Sequence, residues 1–78
     1  MKIGTIVLNH WAGKKNPTKY FIYTGIKGKY ATGIFLNNGK LERVTCYATD
    51  FRNKEIFEPV GYCKGFDIMK EDLKSILG

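Results

Sequence analysis

The residues that could act as nucleophiles, bases or metal ligands are few in this chain of 78 residues. His10 is the single histidine, Cys46 and Cys63 are the two cysteines, and Ser75 is the single serine. An activated serine or cysteine needs a neighbouring base and a third group that orients the base, and nothing in these spacings predicts such a group. The histidine and cysteines also lack the paired spacing of structural zinc sites. We therefore expect a protein that is not an enzyme and that uses neither a metal nor a cofactor.

Basic residues dominate the first half of the chain. The net charge is +6, and the first 41 residues contain seven lysines but no carboxylate, since Glu42 is the first acidic residue. A positively charged surface attracts polyanions, so the expected partners are nucleic acid, a nucleotide or an acidic protein. The alternative is that the lysines only solvate edge strands and keep them from pairing with other chains.

Length and composition predict one small globular domain over residues 1–78. Hydrophobic residues make up 44% of the chain and charged residues 26%, which argues against a disordered protein. No apolar run approaches the ~20 residues of a membrane span, and the sequence at Met1 does not resemble a secretion signal. We expect a cytoplasmic protein with reduced thiols and no membrane contact, although a Cys46–Cys63 bridge stays open. A homodimer is also open, because so small a chain buries little surface.

Short β-favouring runs separated by turn signals predict five strands. The expected strands cover residues 3–11, 19–26, 30–37, 40–49 and 56–63. Asn38 and Gly39 are the strongest local signal, because a type I′ turn needs positive φ at both of its central residues. Pro59 lacks an N–H group, which places the fifth strand at an edge or a bend. Residues 50–55 are expected to be a polar connector with at most one helical turn.

The C-terminal segment has the pattern of a short amphipathic helix over residues 68–77. Asp67 suits the N-cap position. Four apolar residues follow at spacings i, i+4, i+7 and i+8: Met69, Leu73, Ile76 and Leu77. So short a helix is not stable alone, and we expect its apolar stripe to pack against one mouth of a small barrel.

The Asn38–Gly39 turn fixes the register of the third and fourth strands and therefore the residues that share a face. One face is small and apolar and is the expected interior: Ala31, Gly33, Phe35, Val44 and Cys46. The opposite face carries Tyr30, Arg43 and Tyr47. Single-stranded nucleic acids and nucleotides are bound by rings that stack on bases and by cations that meet phosphates. The alternative is a tyrosine pair that only stabilises the sheet.

The loop after the first strand is the second candidate binding element. Trp11 lies beside His10 and is followed by Lys14 and Lys15, so a large ring and two cations share one segment. The predicted ligand-binding residues are therefore Trp11, Lys14, Lys15, Tyr30, Arg43 and Tyr47. The alternative for Trp11 is that its ring plugs one mouth of the barrel.

Two patterns resemble known proteins. The order of strand, long loop, three-stranded meander, short turn and fifth strand, opened by Gly4–Leu8 (GTIVL), resembles an SH3-like small barrel. An OB-type barrel is the alternative, but the chain has no room for its helix between strands three and four. The run Leu8–Gly13 (LNHWAG) with Asn16–Pro17 resembles small uncharacterised lysine-rich proteins from phages of Gram-positive bacteria. The resemblances imply a five-stranded SH3-like barrel with a C-terminal helix, a ligand groove near the Trp11 loop, and a phage protein in the host cytoplasm.

Three functions are compatible with these residues. We expect a non-enzymatic protein that binds an anionic ligand, nucleic acid or nucleotide, through a basic and aromatic surface. An inhibitor or assembly subunit that docks on an acidic host or phage protein is the alternative, because Trp, Tyr and Arg are also the preferred anchors of protein interfaces. Small barrels of related topology also occur as toxin endoribonucleases, which would use His10, Arg43 and Arg52, but those toxins are longer and carry a different motif after the first strand.

Overall fold

The computed structural model describes residues 1–64, and the helix predicted for residues 68–77 lies outside them. The strands are β1 (Thr5–Asn9), β2 (Tyr20–Lys27), β3 (Tyr30–Asn37), β4 (Lys40–Tyr47) and β5 (Phe57–Tyr62). A 3-10 helix (Pro17–Lys19) lies in the loop between β1 and β2, and one helical turn, α1 (Ala48–Phe51), connects β4 to β5. The mainly β fold with five strands is therefore confirmed.

All five strands belong to one antiparallel sheet in the order β4-β3-β2-β1-β5. The sheet is not closed into the predicted barrel, because the edge strands β4 and β5 form no ladder with each other within residues 1–64. The side chains of α1 fill the space beside these edges instead. The ring of Phe51 packs against Phe21 of β2 and Phe57 of β5, with centroids 6.3 Å and 5.5 Å away.

The β3–β4 hairpin has the predicted turn and register. Asn38 has a φ of 54° and Gly39 a φ of 79°, as the type I′ turn requires. Opposite partners continue without a shift from the pair beside the turn to the pair Tyr30/Tyr47 at the open end. The turn sequence therefore determines which side chains share a face over the whole hairpin.

β4 ends at Tyr47, so the predicted extension of this strand to Thr49 is wrong. The N–H of Ala48 donates to the carbonyl of Lys29 (2.8 Å), after which the chain turns into α1. α1 buries Ala48 and Phe51 against the sheet. β3 begins at Tyr30, the partner of Tyr47, so no strand residue lies opposite Ala48 or Thr49, and burial of the two apolar side chains stabilises the helical turn.

Two register shifts interrupt the sheet. One lies between Ile6 and Val7 where β1 meets β5, and the other lies between Tyr23 and Gly25 where β2 meets β3. Gly25 has a φ of 129°, a conformation that residues with a Cβ rarely adopt. Bulges of this kind twist and bend the strands that carry them. Pro59 lies opposite Val7 at the first shift, on the edge strand β5, as its sequence position predicts.

The core lies on one face of the sheet, which we call the inner face. Its buried members are Val7, Phe21, Tyr23, Ala31, Phe51, Ile56 and Phe57. Phe35, Val44 and Cys46 pack against this cluster, so the predicted assignment of the interior face is confirmed. On the opposite, outer face, Ile6, Ile22 and Ile34 are direct partners across β1, β2 and β3. Ile34 is only 1% exposed, so the outer face also has a buried aliphatic centre.

Candidate functional site

A stacked pair of tyrosines lies at the open end of the β3–β4 hairpin, on the outer face. The ring centroids of Tyr30 and Tyr47 are 5.4 Å apart, and the ring planes meet at 27°. Tyr30 is 45% exposed and Tyr47 57% exposed. Each ring therefore has one partner inside the protein and still presents apolar surface to solvent, where a further flat ring can stack.

A cleft of about 210 Å³ lies beside this pair and is lined by Thr24, Lys27, Thr32 and Arg43 among others. The hydroxyl of Thr32 donates to the carbonyl of Gly25 (3.0 Å), so the hydroxyl of Thr24 is the donor in the 2.8 Å bond between the two threonines. Both hydroxyl protons are thus used within the protein. The positively charged residues of the cleft are Lys27 and Arg43, and both are exposed.

The Trp11 loop is an ordered turn that directs its ring outward. The side-chain oxygen of Asn9 accepts from the N–H of Trp11 (3.0 Å), and the ammonium of Lys19 donates to the carbonyl of Ala12 (3.0 Å). Ala12 is buried, whereas Trp11 is 68% exposed. The ring of Trp11 therefore does not plug the interior. Lys14 and Lys15 are exposed in the same loop.

The predicted site residues form two groups at opposite ends of the sheet. The Trp11 loop follows the end of β1, where Leu8 is the partner of Tyr20. Tyr30 and Tyr47 lie at the other end of β2, where Lys27 is the partner of Tyr30. Eight residues of β2 separate the two ends, which corresponds to about 23 Å of extended chain. The two groups cannot line one small pocket.

The outer face between these groups includes exposed residues that sequence reasoning did not place in the site. Tyr20 is 55% exposed and Leu36 is 64% exposed, and Leu41 is the partner of Leu36 across the hairpin. Tyr20 lies two residues before Ile22, whose partner Ile34 faces outward, so strand alternation assigns Tyr20 to the outer face. A two-residue turn, Gly28–Lys29, joins β2 to β3, but the register shifts between Tyr23 and Gly25, so this turn did not fix the face of Tyr20 from the sequence.

A second, larger cavity of about 510 Å³ lies on the inner face, and it contains none of the predicted site residues. Three aromatic side chains of the core line it, Tyr23, Phe51 and Phe57, together with three cationic ones, Lys2, Arg52 and Lys54. Lys2 is far in the sequence from Arg52 and Lys54, so no motif signals the cavity. Arg52 lines this cavity on the inner face, whereas Arg43 lines the cleft on the outer face. The two arginines therefore lie on opposite sides of the sheet.

The described chain contains four carboxylates. The acidic residues of the described chain are Glu42, Asp50, Glu55 and Glu58. Glu42 accepts a hydrogen bond from the amide of Asn37 (2.8 Å), and Glu58 pairs with His10, with 2.9 Å between Nε2 and Oε1. His10 therefore lies at the β1–β5 edge, three strands away from Arg43 on β4. The residues of the endoribonuclease hypothesis, His10, Arg43 and Arg52, are not brought together.

The two cysteines are free thiols. Burial raises the pKa of the Cys46 thiol, and the nearby carboxylate of Asp50 raises it further. A thiol with a raised pKa forms little thiolate at neutral pH and is a poor nucleophile. Within residues 1–64, no three His, Cys, Asp or Glu side chains group together as metal ligands.

No helix of the described chain is both long enough and apolar enough to cross a bilayer. Comparisons of the chain with protein-family models, with curated proteins and with solved structures found no match. A function for this chain therefore has to be inferred from its own residues.

Proposed function

We propose that this chain is a non-enzymatic protein that binds single-stranded nucleic acid across its outer face. The observation that carries the proposal is the stacked pair Tyr30/Tyr47, in which both rings are about half exposed. Bases stack on such rings whatever their sequence, with about 1–3 kcal/mol for each stacked base. The exposed ring of Tyr20 adds a second aromatic surface at the end of β2 next to the Trp11 loop.

The size of the outer face supports a polymer rather than a single nucleotide. The cleft beside the tyrosines has about 210 Å³, which is below the range of about 300–1,000 Å³ that small-molecule sites have. The two groups of predicted residues are about 23 Å apart along β2. An oligonucleotide strand can contact both groups at once, whereas one nucleotide cannot.

The charges near the outer face favour phosphate. Lys14 and Lys15 accompany Trp11 at one end, and Lys27 and Arg43 line the cleft at the other end. Each cation that meets a phosphate releases a counterion, so affinity falls as salt rises. A nucleic-acid ligand also fits the cytoplasmic location predicted from the sequence.

The finer description of the fold belongs to the same proposal. The strand order β4-β3-β2-β1-β5, with a helical turn between β4 and β5, supports an SH3-like arrangement. The resemblance to small phage proteins leads us to propose a phage accessory protein that acts on nucleic acid in the host cell.

A direct test is fluorescence anisotropy of a labelled 12-nucleotide DNA or RNA strand, titrated with the full chain at two salt concentrations. We expect saturable binding that weakens as salt rises, and weaker binding to the same sequence as a duplex, because paired bases cannot stack on the tyrosines. Absence of binding to every strand at low salt would contradict the proposal.

Exposed apolar residues of the Trp11 loop and of the outer face favour a second candidate, a protein partner. Trp11 and Leu36 are each about two-thirds exposed, and apolar residues next to cations are typical anchors for an acidic partner. Purification of the tagged chain from a lysate, with and without nuclease, separates the candidates. A stoichiometric protein that stays bound after nuclease treatment would favour the protein partner.

A further inference from the structure

We propose that the inner-face cavity is a separate binding site for a free nucleotide, that is, a small molecule with a flat ring and a phosphate. The cavity has about 510 Å³, within the range of about 300–1,000 Å³ that is typical of small-molecule sites. It lies on the other side of the sheet from the tyrosine pair, where β2 ends and α1 leads toward β5.

The apolar part of the cavity is a preformed aromatic wall. Tyr23 and Phe51 stack with their centroids 4.9 Å apart at 18°, and Phe57 lies 5.5 Å from Phe51. The three side chains are 4–6% exposed, so their packing in the core fixes their orientation. A rigid apolar wall of this kind suits contact with a flat ring, because the protein loses little side-chain entropy when the ring binds.

The polar part of the cavity has one sign of charge. Lys2, Arg52 and Lys54 line it, and no carboxylate of the described chain does. None of the three cations forms an ion pair with a carboxylate of residues 1–64. The ammonium of Lys2 lies 4.5 Å from the ring centroid of Tyr62, a cation–π contact that restrains this side chain.

The combination of an aromatic wall and three cations fits a nucleotide better than it fits a nucleoside or a phosphate alone. A guanidinium such as that of Arg52 can bind a phosphate with two parallel hydrogen bonds, and the two lysines add charge around it. Tyr23 is one of the lining residues, and its hydroxyl is the group we assign to a base or a ribose. Inorganic phosphate alone would leave the aromatic wall unused, and a nucleoside alone would leave the cations unused.

The test is a titration of the full isotope-labelled chain with nucleoside monophosphates, monitored by NMR chemical shifts. We expect saturable shifts at Tyr23, Phe51 and Phe57 with a nucleotide. Adenosine and inorganic phosphate are the two matched part-ligands, and we expect each to bind at least about tenfold more weakly. Benzyl phosphate has a ring and a phosphate but no base or ribose, and we expect it to bind more weakly than a nucleotide. Equal binding of benzyl phosphate would overturn the assignment to a nucleotide.

Two charge variants supply the control. Arg52→Gln is expected to weaken nucleotide binding by about tenfold or more. Lys40→Gln removes one positive charge at the distant hairpin turn and should leave the affinity for the nucleotide unchanged. Both residues are exposed, and thermal unfolding of each variant checks the fold. Equal loss in both variants, or no saturable shift with any nucleotide at 10 mM, would overturn the proposal. Since the cavity does not include Tyr30 or Tyr47, its failure would not affect the nucleic-acid proposal.

Discussion

Tyr30 and Tyr47 lie directly opposite each other at the end of the β3–β4 hairpin, with their ring centroids 5.4 Å apart. A cross-strand aromatic pair stabilises a sheet by about 0.2–1 kcal/mol. Both rings also keep about half of their surface in solvent. The pair therefore has two separable roles, one in the stability of the sheet and one as a stacking surface for a base.

Replacement of Tyr47 by leucine separates these roles. We expect Tyr47→Leu to weaken binding of a single strand by about 1–3 kcal/mol, because one stacking surface is lost, while the free energy of unfolding falls by no more than about 1 kcal/mol. Tyr47→Phe keeps the ring and is the matched control, with affinity expected to stay near that of the unchanged chain. Anisotropy titrations measure the affinity. Equal affinities for the leucine and phenylalanine variants would remove Tyr47 from the site.

The lysines of the Trp11 loop are expected to determine part of the salt dependence. If Lys14 and Lys15 each meet a phosphate, the double variant Lys14→Gln/Lys15→Gln reduces the slope of log affinity against log salt by about 1.4, since each contact to a single strand contributes about 0.7. Lys54→Gln, on the inner-face cavity, is the control and should leave the slope unchanged. Trp11 fluorescence can follow the titrations, because the ring is exposed in the same loop. An unchanged slope in the double variant would exclude the loop from the interface.

Gly33 is predicted to be required for packing. A Cβ at this position would lie 2.9 Å from the carbonyl oxygen of Ile22 and would collide with the ring of Phe21. Because one of these atoms belongs to the backbone, Gly33→Ala should lower the free energy of unfolding by about 1–3 kcal/mol. A Cβ at Gly13 meets nothing within 4 Å, so Gly13→Ala should change the free energy of unfolding by less than about 0.5 kcal/mol. Urea denaturation measures both, and equal stability of the two variants would show that the packing at Gly33 relaxes freely.

The thiol of Cys46 is expected to react slowly. Burial and then the carboxylate of Asp50 raise its pKa above the ordinary value of 9.0. Alkylation of Cys46 in a Cys63→Ala variant should therefore be slow at pH 8 and should accelerate as the pH rises. Asp50→Asn removes the smaller cause and should increase the rate modestly. A rate equal to that of the unfolded chain at pH 8 would contradict the burial of the thiol.

The same shift has a consequence for stability. The unfolded chain loses the Cys46 proton at a lower pH than the folded chain does, so the folded chain binds more protons in between. The free energy of unfolding should then fall as the pH rises above 9. Cys46→Ala should lose this part of the pH dependence, which urea denaturation at pH 8 and pH 10 measures. A pH dependence that persists unchanged in the alanine variant would assign it to other groups.

The predictable parts of the structure are those that local chemistry determines. Asn38 and Gly39 specify one turn, and that turn alone fixes the faces on which Tyr30, Arg43 and Tyr47 lie. The outward position of Tyr20 was not predictable with the same rigour, because the bulge at Gly25 shifts the register between β2 and β3.

Long-range features were not visible in the sequence. The open sheet depends on how α1 packs beside the edge strands, and the predicted strand ran two residues into that turn. The inner-face cavity collects Lys2, Arg52 and Lys54 from two distant segments, and only the fold brings them together. The separation of the predicted residues into two groups likewise depends on strand order rather than on spacing.

The most direct test of the central claim is a map of backbone amide shifts on addition of a 12-nucleotide single strand to the labelled chain. We expect the largest shifts on β3 and β4 around Tyr30, Arg43 and Tyr47 and on the loop around Trp11, and we expect them to diminish as salt rises. Shifts confined to other surfaces, or no shifts at low salt, would contradict nucleic-acid binding across the outer face.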